Sequence, residues 1–559
     1  MYLISVRRLG LPPLTGGFLW TLTCGLCTAL AQGPFSTLPP ANPGAVSNPS
    51  ATNATAFAPS APRHLTLAEY LQLVLDRNEA LQGKLLELKI SRKRYAAEKG
   101  AFEPDLVGSV DRESNFRQNT VQQQAALGLF ATSPTFWEQN NNYSGGIEDL
   151  VPTGAKLRLG YSLEDLHNSI QPNSSSNDVA KSHEWVTFFG LTATQPLLKN
   201  AGFTATLASL RLAALDSEVA FQQYRRQLML AVSTAEAAYW NLYMAQEQVR
   251  FFEESVAVAE SILKDSQAKL DAGQGSQLEV MQSRSGLAFR QSKLADAREK
   301  QNEAISQVLG LYAALPVNGQ EHVFAIDKPQ LLDKKLSFYS GWRDAYELNP
   351  DYLAQRKKLL QAGVRIGYAH NQALPEVNLK GSYGLNGYGL NNDASWEQIE
   401  DRQFPSWSIG VELRIPLAGN IRARNELAAA RLGEEAALVG LHDLETQIAN
   451  AIHNAVQKVE SRRDSVPRYQ EVVNFATNVL QSQMDRLQVG KVESSKVLEA
   501  DVDLFEAKNS LLETLVQYRR AMLELELAEG TLLKNRKIEV TQDALNGRTR
   551  VLMRPNPQL

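Results

Sequence analysis

The sequence predicts a mainly α-helical protein with a smaller β part, built from two copies of one structural plan. Three observations predict this fold class. Two helical patterns are unusually long, a set of landmarks recurs along the chain, and runs of alternating apolar and polar residues lie between the helices.

The long helical patterns run from Thr204 to Ala272 and from Arg424 to Val489. At about 1.5 Å per residue, each would form a rod on the order of 100 Å, whereas a usual helix has about 11 or 12 residues. We expect Pro467 to bend the second rod without ending it, because apolar spacing continues on both sides. In the first rod, a heptad spacing that favours close helix packing comprises Leu228, Ala231, Ala235, Ala238, Leu242, Ala245, Val249, Phe252, Val256, Ala259 and Leu263.

The landmarks of the first half recur in the second half. The matched pairs are Asn78 and Asn349, Pro104 and Pro375, Pro196 and Pro416, and Gly273 and Gly490. The offset falls from 271 to 220 between the two pairs of prolines, so the first half carries 51 extra residues (271 minus 220) within 102–196. A repeat of this size predicts duplicated supersecondary units.

The lengths of the shorter helices predict how each half packs. A helix from Leu67 to Gly100 or from Ser337 to Asn371 precedes the strands, and a return helix from Gln277 to Leu309 or from Ser494 to Leu533 follows each long rod. The two short helices together match one long rod, so we expect them to stack end to end against it. The remaining segments, Tyr312 to Lys335 and Asn535 to Leu559, are expected to form a belt at that join.

Alternating runs predict strands of the length that crosses a bilayer. Trp407, Ile409, Val411, Leu413 and Ile415 alternate with polar residues, as do Val377, Leu379, Gly381, Tyr383 and Leu385. Apolar-out, polar-in alternation is typical of outer-membrane strands, although a half-buried soluble sheet shows it too. We expect about four membrane strands in each protomer. Four strands leave open edges that lipid cannot satisfy, so three protomers would close a 12-stranded barrel.

The extra residues of the first half are expected to contain a hairpin, because Leu157, Leu159, Tyr161 and Leu163 alternate cleanly after a Pro152–Gly154 turn. The insert could lengthen the barrel strands, form a surface loop or add strands. We favour lengthening or a surface loop, since added wall strands would alter a barrel matched to the helices below it.

The N-terminus predicts export from the cytoplasm. Arg7 and Arg8, an apolar run and Ala29-Leu30-Ala31 are typical of a cleaved signal peptide. The expected organisation is a signal peptide (1–31), a disordered linker rich in Pro, Ala and Ser (32–63), a first repeat (64–336), a second repeat (337–534) and a C-terminal belt or tail (535–559). Both cysteines, Cys24 and Cys27, fall within the signal, so the processed chain has no thiol.

Charge and motifs argue against several functional classes. The net charge is −4 with interspersed signs, which does not favour nucleic-acid binding. The sequence has no phosphate-binding Gly-x-x-x-x-Gly-Lys loop and no His-Glu-x-x-His motif. We therefore expect no enzyme activity, no cofactor and no catalytic or metal site. A chain without an ATP site cannot drive transport itself, so we expect a passive conduit.

Over nearly all of its processed length, the chain resembles the TolC-like outer-membrane efflux proteins. The matching segments are Leu65 to Glu69, Gly100 to Pro104, Thr194 to Leu198, Ala272-Gly273 with Val280, and Val489-Gly490 with Val497 to Ala500. The resemblance implies a homotrimeric exit duct in the bacterial outer membrane, with its helical tunnel in the periplasm and its barrel in contact with lipid. It also implies a periplasmic adapter and an inner-membrane transporter as partners in efflux or type I secretion.

The resemblance assigns two groups of site residues. The adapter-docking tips of the family correspond to Ala272, Gly273, Gln274, Val489, Gly490 and Lys491. The constriction that closes the family's tunnel corresponds to Glu279, Lys496 and Glu499. Lys496 departs from the acidic residue expected at its position. Because Lys496 and Glu499 are three residues apart on one helix, we expect them to pair with each other.

Two alternative functions fit parts of the pattern. A periplasmic adapter also carries a long helical hairpin, although adapters usually have one hairpin and this chain has two. A structural coiled-coil spacer of the cell envelope would also use long rods. Trimers in the outer-membrane fraction would favour the duct, whereas a soluble periplasmic dimer would favour the spacer.

Overall fold

A computed structural model describes residues 63–122, 135–169, 183–312, 323–332, 336–489, 491–542 and 549–553. The predicted signal peptide, nearly all of the predicted linker, and Gly490 lie outside these residues.

The described part of the chain contains long helices, short helices and one large sheet. The helices are α1 (Leu67–Arg77), α2 (Glu79–Glu98), α3 (Gly202–Thr206), α4 (Ala208–Asp271), α5 (Gln277–Gly310), α6 (Phe338–Leu348), α7 (Pro350–Gln372), α8 (Asn392–Glu400), α9 (Ile421–Gln488), α10 (Ser494–Glu529) and α11 (Leu532–Asn535). The strands are β1 (Arg63–Leu65), β2 (Asp105–Gln118), β3 (Thr135–Leu150), β4 (Lys156–Asn168), β5 (Glu184–Pro196), β6 (Val323–Ala325), β7 (Glu376–Gly389), β8 (Pro405–Arg414), β9 (Ile538–Gln542) and β10 (Thr549–Met553).

Both long rods are confirmed, α4 with 64 residues and α9 with 68. The heptad seam of α4 is buried from Leu228 to Val249. Towards the turn, Ala259 of the predicted seam remains buried, but Val256 and Leu263 are only partly buried, and their neighbours Ser255, Ile262 and Ser266 are buried instead. Helix α9 continues through Pro467, as predicted.

The helices that precede the strands differ from the prediction, because each is broken at an asparagine. Asn78 separates α1 from α2, and Asn349 separates α6 from α7, both with extended backbone angles. Each asparagine side chain caps the helix that follows: Asn78 accepts from the Leu81 amide, and Asn349 accepts from the Asp351 and Tyr352 amides. Pro350 also disfavours a helical conformation at Asn349.

The two asparagines also join each break to the end of a return helix. The Asn78 amide donates to the Leu311 carbonyl at 3.0 Å, and the Asn349 amide donates to the Ala528 carbonyl at 2.9 Å. Leu311 and Ala528 are themselves 217 residues apart, which is the repeat offset of this region. The C-terminal end of α5 therefore meets the start of α2, and the end of α10 meets the start of α7. This arrangement confirms the predicted end-to-end join.

The belt segments contribute to a core around the middle of α4. Tyr70 of α1, Val323 of β6 and Ile538 of β9 are buried in one cluster with Leu228 and Leu242. Strand β1 pairs in parallel with β6, and β9 pairs antiparallel with β10. This core holds β1, β6 and β9 against the middle of α4.

A buried charged group ties the C-terminal segment to the same core. Glu236 of α4 is fully buried and accepts from Arg536 at 2.8 Å and from Arg519 at 3.4 Å. Burial lowers the pKa of Arg536, but the carboxylates of Glu236 and Glu526 outweigh it and raise the pKa overall. Because removing one partner would leave an unpaired buried charge, this network holds the segment after α10 in place.

The large sheet contains six antiparallel strands in the order β2-β3-β4-β5-β7-β8. The expectation of about four strands in each protomer was therefore wrong. The insert does form the expected hairpin, β3 and β4, but this hairpin lies within the sheet between β2 and β5 and is not a surface loop. Pairing on both sides satisfies the backbone of the hairpin strands, and it aligns their apolar residues with those of the neighbouring strands.

The two faces of the sheet differ sharply. One face is apolar, and a single row of paired residues on it comprises Leu106, Ile147, Leu159, Leu191, Tyr383 and Trp407. The opposite face is polar, and one of its rows comprises Asp105, Glu148, Arg158, Thr192, Ser382 and Ser408. The alternation predicted for the runs of β4, β7 and β8 is thus confirmed.

Helix α8 packs on the apolar face at the end of the sheet that is distant from the long rods. Its Ser395 hydroxyl contacts the Thr187 hydroxyl, and its Trp396 ring meets Tyr161 edge-on. Gly387 lies directly beneath the Ser395 backbone, where a Cβ atom would clash. Glycine is therefore needed for this close approach. Among the described residues, no helix combines the length and the apolar character that a membrane span requires.

Candidate functional site

The first candidate docking tip is a tight turn between α4 and α5. Gly273 has a φ of +72°, a left-handed conformation that glycine adopts at low cost. The Gln274 amide donates to the Lys269 carbonyl at 2.8 Å and closes the turn, and Ser276 caps α5. Ala272, Gly273 and Gln274 are all exposed. The structure therefore places the predicted tip residues on a rigid, accessible turn.

The second candidate tip repeats this geometry between α9 and α10. The Lys491 amide donates to the Arg486 carbonyl at 2.9 Å. Lys491 and Arg486 lie 217 residues after Gln274 and Lys269, so the two turns are closed by equivalent hydrogen bonds. Val489 and Lys491 are exposed. Gly490, also predicted as a tip residue, lies outside the described residues.

The two hairpins are held together just beyond these turns. Ile262, Leu487 and Val497 form a small apolar cluster that joins α4, α9 and α10. The Ser494 hydroxyl donates to Glu279 at 2.8 Å and lies 3.3 Å from the Ser266 hydroxyl. The two tips are therefore neighbours on one end of the molecule.

The structure brings two of the three predicted constriction residues into direct contact. Lys496 Nζ lies 2.7 Å from the Glu499 carboxylate, which confirms the predicted pair. Glu499, followed by Glu493, raises the pKa of Lys496, so this side chain is protonated at neutral pH. Both side chains of the pair are more than 60% exposed. Glu279 lies close by, because Ser494 at the start of α10 holds its carboxylate.

A buried ion pair near the tips was not predicted from the sequence. Arg290 of α5 donates to Asp501 of α10 at 3.2 Å and to the Ser255 hydroxyl of α4 at 3.0 Å. The Ser255 hydroxyl in turn donates to Asp501 at 2.5 Å, and Arg290 also donates to the Leu498 carbonyl at 2.8 Å. Three helices are therefore linked by one satisfied polar cluster.

A heptad signal could have located this ion pair. Ser283, Arg290, Ala297 and Ala304 recur every seven residues, and all four are buried. Arg290 is thus the one charged residue in a seam of small residues. A charge at such a position is expected to have a buried partner.

The polar face of the sheet carries paired charges and a row of glycines. Lys380 lies 2.6 Å from Glu412, and Arg158 lies 3.4 Å from Glu148. Four glycines face each other on consecutive strands: Gly146, Gly160, Gly190 and Gly384. The Phe188 ring covers the last two of them. Such a row permits a sheet to curve towards that face, which is the concave face that a channel lining requires.

The sheet ends in two edge strands, and the helical layer ends in two exposed helix surfaces; we call these the open flanks. Strands β2 and β8 are the edges of the sheet. Among the long helices, α9 buries only 10 of its 68 residues, whereas α4 buries 21 of 64. The exposed apolar residues of this flank include Leu432, Val439 and Phe475, and those of the opposite flank include Leu86, Ile90 and Phe289. These surfaces are typical of contacts between subunits.

Titratable groups give no sign of a metal centre in the described ranges. No group of three or more His, Cys, Asp or Glu side chains converges there in a way that could hold an ion. The candidate functional features are therefore the tips, the charges near them and the polar face.

Comparisons with known proteins agree with this arrangement. The family model described as "Outer membrane efflux protein" matches residues 342–531, which run from α6 to α10. The alkaline protease secretion protein AprF of Pseudomonas aeruginosa is 21% identical over 383 residues, covering 67% of this chain and 76% of AprF. The cation efflux system protein CusC of Escherichia coli is 25% identical over 317 residues, covering 56% of this chain and 63% of CusC.

Solved structures show the same fold. The CmeC outer membrane channel of Campylobacter jejuni superposes with a TM-score of 0.58 at 14% identity, covering 84% of this chain and 88% of CmeC. A structure of CusC gives a TM-score of 0.56 at 16% identity, covering 83% and 92% of the two chains. The partial family match, the relatives and the fold thus agree that the chain is similar to TolC-like outer-membrane efflux proteins.

Proposed function

We propose that three copies of this chain form a passive exit duct, which a periplasmic adapter connects to an inner-membrane transporter. The observation that carries the proposal is the position of the open flanks. Strand β2 follows α2 in the chain and β8 precedes α9, so the sheet and the helical layer are open on the same two sides.

The helical layer has a simple order. Helix α4 packs against α2 and α5 on one side and against α7 and α10 on the other, and α9 packs against α7 and α10. Each copy therefore supplies four rods: α2 joined to α5, then α4, then α7 joined to α10, then α9. The outer rods are the first and the last.

One contact covers both flanks. If α9 packs against the α2–α5 rod of the next copy, β8 of the first copy comes beside β2 of the next. A head-to-tail contact of this kind closes into a ring when its rotation allows. Three copies, the number implied by the resemblance to TolC-like proteins, give a ring of twelve rods around a hollow axis. The curved sheets then close into a barrel with its apolar face in lipid and its polar face towards the lumen.

Cargo and energy come from the partners. One relative is named for protease secretion and another for cation efflux, so the proposal includes both kinds of system. The rods provide a path through the periplasm, and the transporter supplies the driving force. Glu279, Lys496 and Glu499 line the narrow end of the tunnel in this proposal, close to where the adapter docks.

Site-specific photocrosslinking tests the docking surface. A photoreactive residue replaces Gln274 or Lys491 at the tips, and a control replaces Lys300, which is exposed on α5 but distant in sequence from the turn. Both tip variants should crosslink in cells to a periplasmic protein that co-purifies with an inner-membrane transporter, whereas the Lys300 variant should not.

Equal crosslinking from all three positions would contradict docking at the tips. A soluble periplasmic dimer with no transporter in the eluate would instead favour a coiled-coil spacer and would overturn the duct.

A further inference from the structure

We propose that the inserted hairpin β3–β4 is part of the membrane wall, so that the assembled barrel has eighteen strands and is about as wide as the helical tunnel. The proposal rests on the three-copy duct described above. It follows from the count of six strands in each copy, taken three times. An even number of this size lies within the range of known outer-membrane barrels.

The hairpin has the composition of a lipid-facing wall. On its apolar face, β3 presents Tyr143, Gly145 and Ile147 between the polar residues Asn141 and Asp149, and β4 presents Leu157, Leu159, Tyr161 and Leu163. All of these residues except Leu163, which is opposite Thr187, are paired with apolar residues or glycines of the flanking strands; Ile147 is opposite Leu106, and Leu159 is opposite Leu191. A loop exposed to water outside the membrane would gain nothing from such a continuous apolar face.

The position of the apolar band indicates that the hairpin strands are tilted like the others. One row of paired residues links Trp407 of β8 to Leu106 of β2 through all four intervening strands. In β8 the band extends from Trp407 towards the rods, as far as Leu413. In β2 it extends from Leu106 in the opposite direction, as far as Val110.

This drift has the size expected for a membrane barrel. The centre of the band moves by about five residues over five strand-to-strand steps, or about one residue per step at a rise of about 3.3 Å and a strand spacing of about 4.8 Å. The corresponding tilt is about 35°, at the lower end of the range of transmembrane barrels. The drift is continuous through β3 and β4, so the hairpin shares the tilt of the wall.

The calculated diameters of the eighteen-stranded barrel and of the helical tunnel then agree. Strands about 4.8 Å apart and tilted by about 35° each take up about 5.9 Å of circumference, so eighteen strands give a diameter of about 34 Å and twelve give about 22 Å. Twelve rods with axes about 9 to 10 Å apart form a ring about 36 Å across. With six strands per copy, the barrel therefore continues the tunnel without narrowing. Cargo size is limited by the closed end of the tunnel and not by the barrel.

Cysteine accessibility tests the position of the hairpin. Single-cysteine variants Leu159→Cys and Ser162→Cys place a thiol on the apolar and the polar face of β4, in a processed chain predicted to have no other thiol. In proteoliposomes, a charged thiol reagent should modify the Ser162→Cys variant at least ten-fold faster than the Leu159→Cys variant. The matched pair Leu191→Cys and Thr192→Cys on β5 should show the same difference.

The control pair on β5 distinguishes failure of the hairpin proposal from failure of the duct proposal. Fast modification of both β4 variants, with normal protection of the Leu191→Cys variant, would remove the hairpin from the wall and leave the duct intact. Fast modification of the Leu191→Cys variant as well would contradict the duct itself.

A second measurement does not depend on reagent access. The pair Leu159→Cys with Leu191→Cys should be joined by a short thiol crosslinker, because the two residues are opposite each other on adjacent strands. The pair Leu106→Cys with Leu191→Cys should not, because two strands separate these residues, a distance of about 14 Å. The reverse outcome would show that β2 pairs directly with β5 and would overturn the eighteen-stranded wall.

Discussion

Lys496 and Glu499, which we propose as constriction residues, bear on the ion selectivity expected of the proposed duct. Their ion pair is exposed, so it adds little to stability, but it neutralises a carboxylate that would otherwise attract cations. The carboxylate of Glu499 raises the pKa of Lys496, as expected for a lysine paired with an acidic side chain. An entrance with paired charges should therefore discriminate weakly between ions.

Substitution of Lys496 tests whether these residues line the conducting path. Lys496→Asp removes the positive charge and leaves Glu499 unpaired beside a second carboxylate, so cation preference should rise in single-channel recordings. Lys300→Asp, an equal change of charge away from the tips, serves as the control. Unchanged reversal potentials for Lys496→Asp would remove Lys496 and Glu499 from the constriction.

At the residue scale, the sequence predicted contacts within one helix or one turn better than contacts between helices. The turn at Gly273 and the pair of Lys496 with Glu499 involve neighbours along the chain, so spacing alone predicts them. The Arg290–Asp501 pair joins residues 211 positions apart, and their partnership depends on how the two hairpins pack. A charged residue in a heptad seam indicates that a partner exists, but it does not identify the partner.

At the scale of elements, the asparagine breaks explain how each rod is assembled. The sequence predicted a single helix before each set of strands, continuing across Asn78 and Asn349. Capping and the hydrogen bond to the return helix override that continuity. The same two asparagines had already been matched as repeat landmarks, so their recurrence was the available signal for a structural role.

Variants of Asn349 should separate its two roles. Asn349→Ala loses both the cap of α7 and the bond to Ala528, and should lower the free energy of unfolding by about 2 kcal/mol. Asn349→Asp retains the cap acceptor and loses only the donor, so its loss should be about 1 kcal/mol. Denaturant unfolding followed by helical circular dichroism measures both.

Equal losses in the two variants would show that the bond to Ala528 accounts for the whole effect. No loss in either variant would contradict a structural join at Asn349.

The inserted hairpin was the clearest error at this scale. Alternation correctly predicted its strands and their apolar residues, but alternation is the same for a longer strand, a surface hairpin and an added pair of wall strands. The choice between them depends on which strands pair, and register is set by long-range contacts that one sequence does not display. We had disfavoured added strands because they would alter a barrel matched to the helices, whereas the structure places the hairpin within the sheet.

At the scale of the whole molecule, the helical layer and the sheet are open on the same two sides. The long helices, the return helices and the polar and apolar faces were all predictable, because each depends on a period along the chain. The proposed ring was predictable only as a requirement, since a single copy leaves β2, β8 and the α9 flank open. The proposed barrel width depends on the strand count, which the sequence pattern did not determine.

Electron cryo-microscopy of the detergent-solubilised protein tests the central claim most directly. The account predicts a particle of three copies with twelve rods around a hollow axis, in which β8 of each copy lies beside β2 of the next and α9 is covered by a neighbouring α2–α5 rod. A particle with one copy, or a ring in which the α9 flank remains exposed, would contradict it.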